Sequence, residues 1–369
     1  MKTYKHLFEQ IVTFPNLLSA AYKAAQNKRN KPDVARFFFY LEQELFALQH
    51  QLQTHSYVPG KYHTFYVHDP KKRLISASPF RDRVVHHALC NIIEPIFERS
   101  FDADSYANRR GKGTHAAILR CQHYAKRYPY VLKCDIRKFF PSIDHDILKI
   151  ALLRKIACRQ TLWLIDLIID NSNPQDEHIA YFVGDDLFTP FTRRRGLPIG
   201  NLTSQFWANV YLNQFDHFVK QQLKAKGYVR YVDDFLLFAE NPQILHQYKK
   251  RIIHFLSQLR LLLHPNKTHI HATQKGIPFL GFRIFPHYRY VQKCKQHRSR
   301  RFLYKKIKQY QNAQLKPDRL EAGLNSWLGH VRFGQSQRIE QQVFNHIRQQ
   351  GVALYRHPGG SWRVLEQQS

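Results

Sequence analysis

Apolar residues recur every three or four positions through the first third of the chain, the spacing that places them on one face of a helix. Over residues 4–55 this pattern predicts two helices, the second from about Val34 to Gln53. Residues 61–80 instead alternate between apolar and polar, which predicts a hairpin with a basic tip. Further helices are predicted over 81–98 and from Thr114 to about Tyr128.

A short apolar strand is predicted from Tyr130 to Ile136, with Asp135 close to its end. Pro141 cannot continue the strand because proline has no backbone N–H, and Ser142 or Asp144 can cap the helix that follows. We therefore expect the carboxylate of Asp135 at the end of a strand.

The second half of the chain alternates helices with short strands. A helix of about 25 residues is predicted from Asn201 onward. Tyr228 to Ala239 is apolar on both sides of Asp233-Asp234, as expected for two buried strands joined at an acidic turn. Lys267 and residues 279–282 are predicted to lie in further short strands.

The composition makes the chain strongly basic. Its 369 residues include 57 Lys or Arg against 27 Asp or Glu, a formal net charge of +30. Such an excess favours a polyphosphate partner, and nucleic acid is the first candidate; a merely basic protein is the alternative. From Arg283 onward 17 Lys or Arg stand against four acidic residues, which indicates a separate basic helical lobe.

The cysteines and the apolar stretches argue against other classes of protein. Five scattered cysteines contain no C-x-x-C pair, so neither a disulfide framework nor a zinc knuckle is indicated. No window approaches about 18 uninterrupted apolar residues, and Pro15 and Asn16 interrupt the first apolar stretch before it could serve as a signal peptide. We therefore expect a cytoplasmic protein with no membrane partner.

Three acidic residues are the candidates for chemistry. Asp135 and the Asp233-Asp234 pair lie far apart in sequence, yet neighbouring strands of one sheet would bring them together. Two divalent ions about 3.5–4 Å apart would relieve their repulsion, activate a primer 3′-hydroxyl and neutralise a leaving pyrophosphate. We expect two Mg²⁺ ions on these catalytic, metal-binding side chains, with Mn²⁺ as a substitute. An Asp-Asp pair alone is more often a plain turn.

Four ordered boxes of the sequence resemble those of reverse transcriptases. Asp135–Phe140 resembles their motif A, and Tyr231–Asp234 resembles their motif C. Between these two boxes Gly196–Gln205 occupies the position of motif B, and Phe279-Leu280-Gly281-Phe282 is similar to the primer grip. The resemblance covers about residues 60–285.

This resemblance implies an α+β fold of the right-hand polymerase type, with an antiparallel palm sheet packed on helices and a helical thumb. N-terminal helices and fingers would occupy residues 1–129, and the palm 130–285, with fingers elements and a polar excursion over 171–195. A basic thumb and tail would occupy 286–369. The implied activity is RNA-directed DNA polymerisation, with an RNA template, a cDNA or primer strand and dNTPs as partners.

Motif B indicates a subgroup. Ile199-Gly-Asn-Leu-Thr-Ser-Gln205 stands where most reverse transcriptases have Gln-Gly-x-x-x-Ser-Pro, and it resembles the enzymes of diversity-generating retroelements, relatives of the group II intron and retron enzymes. The resemblance implies error-prone copying of a template-repeat RNA, with mutations at adenines, assisted by a small basic oligomeric accessory protein. Ile199 cannot donate a hydrogen bond to the nascent base pair, and looser discrimination is the hypothesis that follows.

The same resemblance assigns roles around the incoming nucleotide. Phe140 matches the steric gate that selects deoxynucleotides, and Arg73 and Lys71 match cations that hold the triphosphate. Lys267 matches a lysine that protonates pyrophosphate as a general acid. The remaining nucleotide-binding candidates are Ile199, Gly200, Gln205 and Tyr231. Contacts to the template or its backbone are expected from Arg109, Arg110, Lys112, Arg194 and Arg195.

Two alternatives stay open. A bacterial reverse transcriptase of the retron or phage-defence type would copy a different RNA or synthesise without a template, and the Gln205 end of motif B argues against it. An RNA-binding scaffold or maturase-like protein would keep the fold and lose catalysis. A broken carboxylate set is the expected mark of that loss, whereas Asp135, Asp233 and Asp234 are all present.

Overall fold

A computed structural model describes residues 2–68, 72–173, 179–358 and 360–365, with the backbone alone at 294 and 295. Lys71, at the tip of the predicted basic hairpin, lies outside the described residues. The helices are α1 (Phe8–Ile11), α2 (Phe14–Ala24), α3 (Pro32–Phe39), α4 (Leu41–Gln53), α5 (Phe80–Glu98), α6 (Thr114–Arg127), α7 (Phe139–Ser142), α8 (His145–Leu153), α9 (Arg159–Asp170), α10 (Thr189–Thr192), α11 (Leu202–His217), α12 (Pro242–Gln258), α13 (Lys293–Gln311), α14 (Pro317–Phe333) and α15 (Gln337–Gln349). The strands are β1 (His63–Val67), β2 (Arg73–Ala77), β3 (Tyr130–Asp135), β4 (Gly227–Tyr231), β5 (Asp234–Ala239), β6 (His269–Ala272), β7 (Ile277–Phe279), β8 (Phe282–Ile284), β9 (Arg289–Val291), β10 (Leu354–Arg356) and β11 (Trp362–Val364).

The N-terminal region contains α1 to α4 where the sequence predicts two helices, so that prediction is wrong. Pro15 and Pro32 lie in the first turns of α2 and α3, where the missing proline N–H costs nothing, so each begins a new helix. Tyr40 leaves the helical region at φ −107° and separates α3 from α4. Local backbone breaks therefore divide one continuous apolar periodicity.

The predicted hairpin and the two helices near it are confirmed. β1 and β2 pair antiparallel, with His63 opposite Ala77 and Val67 opposite Arg73. α5 and α6 occupy the positions predicted for them. Because Arg73 is the first residue of β2, the pairing of the hairpin determines the position of its side chain.

Four strands form the sheet that carries the candidate site, in the order β4-β5-β3-β6. β4 and β5 are joined by two residues only, so they run antiparallel. Their side chains are buried on both faces of the sheet, apart from the residues at the turn. The strands predicted at 130–136 and 228–239 are thus confirmed. A second sheet has the antiparallel order β7-β8-β9.

Two predictions about regular structure need correction. Lys267 is not in a strand but ends a 3₁₀ turn over Pro265–Lys267, where its amide bonds to the His264 carbonyl (3.2 Å). The long helix predicted from Asn201 begins as α11 and continues as a π-helical turn over Phe218–Gln222. Its extent is close to the prediction, but its last turns are wider than an α-helix.

The described chain divides into two compact units. The first comes from Met1–Ala117, Leu132–Leu237 and Gln243–Ile270, and the second from Ile118–Val131, Phe238–Pro242 and His271–Ser369. In the first unit α5 packs against α2 and α11. In the second, α13, α14 and α15 enclose an apolar cluster, and β10-β11 adds a hairpin that the sequence analysis does not predict. The division into fingers, palm and thumb stays a prediction.

Candidate active site

Two chain segments meet at the predicted catalytic aspartates. Asp135 ends β3, Asp233 lies in the turn between β4 and β5, and Asp234 begins β5. The Ile136 amide donates to the Asp233 carbonyl (3.1 Å), which ties this turn to the end of β3. The His264 amide donates to the Asp135 carbonyl (2.8 Å). The sheet therefore brings the three aspartates into one neighbourhood.

The carboxylates of the turn are half-buried and repel one another. Burial, together with the charge of Asp135, raises the pKa of Asp233 to about 6. Burial raises the pKa of Asp234 to about 7; Lys133 opposes the rise, and the charges of Asp233 and Asp135 add to it. Oδ1 of Asp234 is buried and has no hydrogen-bond partner among the described residues. A buried carboxylate oxygen without a partner is costly, so a cation would stabilise this arrangement.

Two lysines already offset part of this charge. Lys267 Nζ lies 2.7 Å from Oδ1 of Asp135, and Lys133 Nζ lies 3.5 Å from Oδ2 of Asp234. Sequence reasoning missed Lys133. Its position two residues before Asp135 on β3 was the available signal, because side chains two apart on a strand point to the same face.

The expected cluster of three metal-binding carboxylates is not present as a ready ligand set. Among the described residues, no three His, Cys, Asp or Glu side chains could together hold a metal ion. In this arrangement Lys267 is paired with Asp135, and Lys133 lies close to Asp234. The unpaired buried oxygen of Asp234 and the repulsion between the two half-buried carboxylates nevertheless fit a hard divalent cation, which prefers oxygen ligands.

A buried arginine holds the turn from within the protein. Val232 has φ 56°, a left-handed conformation that a β-branched residue rarely adopts. Arg230, 1% exposed, donates from Nη1 to the Val232 carbonyl (3.2 Å). Its Nε and Nη2 donate to the two oxygens of Asp216 (2.7 and 2.6 Å), and Asn209 and Ser105 accept further hydrogen bonds. Sequence reasoning missed Arg230, although an arginine inside the apolar run of β4 was a visible signal.

The residues after Asp135 turn sharply into a short helix. Lys138 has φ 44° and precedes α7. Phe139 is 2% exposed, whereas Phe140 is half-buried, and their rings lie edge to face at 5.5 Å. The Leu197 amide donates to the Phe140 carbonyl (3.0 Å), which connects this helix to motif B. Phe139 is therefore the core member, and Phe140 keeps the exposure that its predicted role requires.

Motif B lies against β2. The Ser76 amide donates to the Ile199 carbonyl (3.0 Å), and Ile199 itself is half-buried. Gly200 has φ 121°, and a Cβ at this position would lie 3.1 Å from Cγ2 of Ile75, so a side chain would be strained here. Gln205 is half-buried in the first turn of α11. The backbone at Ile199 and Gly200 is thus held close to the hairpin.

The remaining nucleotide-binding candidates lie on strands near the aspartates. Arg73 is exposed at the start of β2, and its charge is one of those that lower the pKa of Asp233 against the stronger effect of burial. Tyr231 ends β4, with its hydroxyl 3.2 Å from that of Thr114. Lys71 lies outside the described residues, so of the two cations predicted to hold the triphosphate only Arg73 is described, and its charge acts on Asp233.

One predicted nucleic-acid contact needs correction. The Arg109 side chain is 5% exposed, and it donates to Glu98 (2.8 Å) and to the Ser105 carbonyl (2.7 Å). A guanidinium with its donors engaged inside the protein is not free to bind phosphate. Arg110 is exposed, and Lys112 is half-buried with Nζ on a backbone carbonyl (2.8 Å). Within this loop Arg110 is the accessible cation.

The arginines before motif B also differ in exposure. The Arg194 side chain is 63% exposed and lies 3.2 Å from Asp170. Arg195 is half-buried, and burial lowers its pKa, with a further contribution from the charge of Arg193. The Arg195 backbone pairs with Asp144, whose carboxylate caps α8. Arg194 is thus the accessible cation of this pair.

The predicted primer grip forms the tight turn between β7 and β8 in the second unit. Leu280 and Gly281 have φ 48° and 88°, the positive values that a two-residue hairpin turn requires. Phe279 and Phe282 on either side are completely buried. The Gln292 amide donates to the Gly281 carbonyl (2.9 Å) and braces the turn. The two phenylalanines therefore hold the turn in place, and contact with a primer at this box stays a prediction for Leu280 and Gly281.

A comparison with protein families decides the class of this chain. The family described as "Reverse transcriptase (RNA-dependent DNA polymerase)" matches residues 67–284, which are more than half of this chain. The chain belongs to this family. The predicted right-hand polymerase fold and the predicted enzyme class are therefore confirmed at the level of the family. All three aspartates of this reverse transcriptase lie inside the matched range.

Similar proteins carry intron-related and other names. Protein YkfC of Escherichia coli (strain K12) is 24% identical over 283 residues, which are 65% of this chain and 71% of that protein. Group II intron-encoded protein LtrA of Lactococcus lactis subsp. cremoris is 26% identical over 261 residues, 67% of this chain and 39% of that protein. Nuclear intron maturase 1, mitochondrial, of Arabidopsis thaliana is 32% identical over 87 residues, 24% of this chain and 12% of that protein. The chain thus spans about seven tenths of YkfC and less than half of the two intron-related proteins.

Among the helices that the structure describes, none combines the length and the apolar character needed to cross a lipid bilayer.

Proposed function

We propose that this reverse transcriptase copies RNA into DNA at the site formed by Asp135, Asp233 and Asp234. The observation that carries the proposal is the junction between the end of β3 and the β4-β5 turn, where two half-buried carboxylates stand next to a third. Among the described residues the buried Oδ1 of Asp234 has no hydrogen-bond partner, so the hydrogen bonds of the fold do not account for this oxygen. Partial burial disfavours charged carboxylates, so this acidic site in a chain of net charge +30 needs a cation to stabilise it.

The three aspartates would hold divalent ions, Mg²⁺ in the first instance, which when bound supply charge neutralisation for the departing pyrophosphate and for the attacking 3′-hydroxyl. Lys267 pairs with the Asp135 carboxylate and in this proposal would give a proton to pyrophosphate. Arg73 offers an exposed guanidinium for the triphosphate. Phe140 stands next to Phe139 as the residue that would meet a ribose 2′-hydroxyl.

We propose further that the template is the template-repeat RNA of a diversity-generating retroelement. The support is motif B, in which Ile199 stands where most relatives have a polar residue and Gln205 closes the box. A half-buried aliphatic side chain offers no hydrogen bond to the nascent pair, so incorrect pairs would be discriminated less strongly. In this proposal a small basic oligomeric accessory protein assists the synthesis of mutagenised cDNA.

A second candidate function is that of a group II intron protein that binds its own RNA. The names of LtrA and of the Arabidopsis maturase favour this candidate. The two functions differ in their products. A retroelement enzyme leaves cDNA with errors concentrated opposite template adenines, whereas an intron protein would promote splicing of the bound RNA without that error pattern.

Primer extension on an RNA template tests the polymerase proposal. The purified wild-type chain with Mg²⁺ and dNTPs is expected to lengthen a labelled primer, and Asp233→Asn is expected to reduce the rate by at least about 10³-fold, because the carboxylate charge is lost where transition-state charge develops. Asp146→Asn is the matched control, since Asp146 is exposed in the first turn of α8. Equal loss in both variants, or no extension by the wild type, would contradict the proposal.

Sequencing the cDNA tests the subgroup. The wild type is expected to misincorporate mainly opposite template adenines, and Ile199→Gln is expected to lower the error frequency by about 5- to 100-fold, the range that one good polar contact supplies. Ile253→Gln is a control with the same substitution at an exposed position of α12. Indistinguishable error spectra for wild type and Ile199→Gln would remove Ile199 from the explanation.

A further inference from the structure

An open groove runs along α15 in the second compact unit. It has a volume of about 850 Å³, within the range of roughly 300–1,000 Å³ that is usual for ligand sites. Its walls come from α15, from the residues that precede this helix and from β11. None of the motifs of the sequence includes a residue of this groove.

Amide side chains line the wall formed by α15. Gln337, Gln341 and Asn345 follow one another at four-residue spacing, so they share one face of the helix, and all three are exposed. These three amides donate and accept no side-chain hydrogen bond with another described residue, so they are available to a ligand. An amide presents both a donor and an acceptor, the pattern that matches the edge of a nucleobase.

An aromatic pair lies beside these amides. The rings of Phe344 and Trp362 are 4.5 Å apart at 45°, and both side chains are half-buried. Asn325 fixes the Trp362 backbone through two bonds, accepting from its amide and donating to its carbonyl (both 2.8 Å). The platform is therefore held in place before any ligand arrives, which lowers the entropy cost of binding. Aromatic faces of this kind stack on unpaired bases.

The charges around the groove favour an anionic ligand. Glu340 is the carboxylate among the lining residues, and Arg332 neutralises it through Nε (3.0 Å) and Nη2. Arg348 is exposed on α15 one turn beyond the amides and adds a positive charge. A flexible basic side chain next to an aromatic platform can reach the phosphate that follows a stacked base.

We propose that this groove binds unpaired nucleotides of an RNA strand, with bases stacked on Phe344 and Trp362, base edges bonded to Gln341 and Asn345, and a phosphate on Arg348. The proposal rests on the proposed RNA partner but not on DNA synthesis. It adds a binding site for single-stranded RNA to the aspartate site of the first unit. Paired RNA does not fit this site, because its base edges are engaged and its bases are stacked on each other.

Photo-crosslinking tests the proposal on the full chain. The Asp233→Asn variant is used because it lacks polymerase activity, so DNA synthesis cannot affect the result. The probe is a single-stranded RNA of eight nucleotides with one 5-iodouridine, irradiated at about 0.3 M salt to suppress contacts that depend on charge alone. Mass spectrometry is expected to find crosslinks at Phe344 or Trp362, and the same RNA annealed to its complement is expected to abolish them. Absence of crosslinks at Phe344 and Trp362, or crosslinks at these residues that persist with the duplex, would overturn the proposal.

A matched pair of variants measures the contribution of the groove to affinity. The probe is the same eight-nucleotide RNA labelled with fluorescein, and its affinity is measured by fluorescence anisotropy. Arg348→Gln and the double variant Gln341→Ala/Asn345→Ala are each expected to weaken its binding by at least about fivefold. Arg338→Gln makes the same charge change at an exposed position of α15 that does not line the groove, and it is expected to change affinity by less than about twofold. Equal effects of Arg348→Gln and Arg338→Gln would contradict a defined site.

Intrinsic fluorescence separates stacking from misfolding. Binding of the RNA is expected to quench tryptophan emission, and Trp362→Phe is expected to remove that quenching while keeping an aromatic ring beside Phe344. Far-UV circular dichroism establishes that each variant is folded. Quenching that is unchanged in a folded Trp362→Phe variant would assign the signal to another tryptophan and would overturn the stacking step.

Discussion

Neighbouring residues of similar chemistry have different surroundings in this protein. Phe139 is buried in the core and Phe140 is half-exposed beside it. Arg109 is enclosed by an ion pair with Glu98, whereas Arg110 is exposed. The residue types predicted both cations as nucleic-acid contacts, but Arg109, in a loop, is removed from solvent by Glu98 at the end of α5. Availability for function is thus decided by packing at single positions.

Replacing Phe140 tests its role as a gate against ribonucleotides. Phe140→Ala is expected to raise the ratio of ribonucleotide to deoxynucleotide incorporation by about tenfold or more, because the ring that would collide with the 2′-hydroxyl is removed. Single-nucleotide extension with rNTPs and dNTPs measures this ratio. Phe191→Ala, at an exposed phenylalanine outside the site, is the control. An unchanged ratio in an active Phe140→Ala variant would refute the gate.

At the scale of elements, the β4-β5 turn depends on a side chain that never reaches the surface. Arg230 on β4 bonds to Asp216 in α11 and to the carbonyl of Val232, whose left-handed conformation needs support. The turn residues follow from the sequence pattern. Their backbone geometry depends on Arg230, which Asp216 of α11 holds in place, and the pattern does not reveal this contact.

Variants of this ion pair separate stability from positioning. Arg230→Met is expected to lower the free energy of unfolding by about 3–5 kcal/mol, because it leaves Asp216 buried without its partner. The double variant Arg230→Met/Asp216→Leu is expected to recover most of this loss, since no buried charge remains. Urea unfolding followed by circular dichroism measures both. The folded double variant is still expected to extend primers more slowly, since the Val232 carbonyl has lost its donor, and wild-type activity would show that Arg230 only stabilises the fold.

The buried His86 on α5 is expected to make the free energy of unfolding depend on pH. Burial lowers the pKa of His86 to about 3, with smaller contributions from His87 and Arg83, and its Nδ1 has no described partner. Since the folded pKa lies below the unfolded value of about 6.5, the unfolded chain binds more protons and stability falls as pH decreases from about 6.5 toward 3. At pH 5 the loss is about 2 kcal/mol relative to pH 7.

Urea unfolding at pH 7 and pH 5 tests this expectation. His86→Met removes the titrating group and fills a similar volume, so the variant is expected to lose about 2 kcal/mol less than the wild type between the two pH values. The comparison between the two proteins cancels the contributions of the other titrating groups. An equal loss of stability in both proteins would exclude His86 as the cause.

The whole molecule carries a net charge of +30, and this excess is expected to dominate its encounter with RNA. A protein that contacts 6–10 phosphates through Lys and Arg is expected to lose roughly 10³- to 10⁵-fold in affinity between about 50 and 200 mM salt. Fluorescence anisotropy of a labelled RNA with the full chain measures this slope. Affinity that changes by less than about tenfold over this range would show that charge is not the main source of binding.

The sequence by itself determined the hairpin over residues 61–80, the helices α5 and α6, the strands β3 to β5 with Asp135, Asp233 and Asp234 at their ends, and the family. Hydrophobic spacing and turn residues are local signals, so they can be read without the fold. The tertiary structure decided the pairing of Lys267 with Asp135 and of Lys133 with Asp234, the burial of Arg109, and the support of Val232 by Arg230. It also brought Trp362 next to Phe344. These contacts join residues from separate elements, and their geometry and burial exist only once the elements have packed.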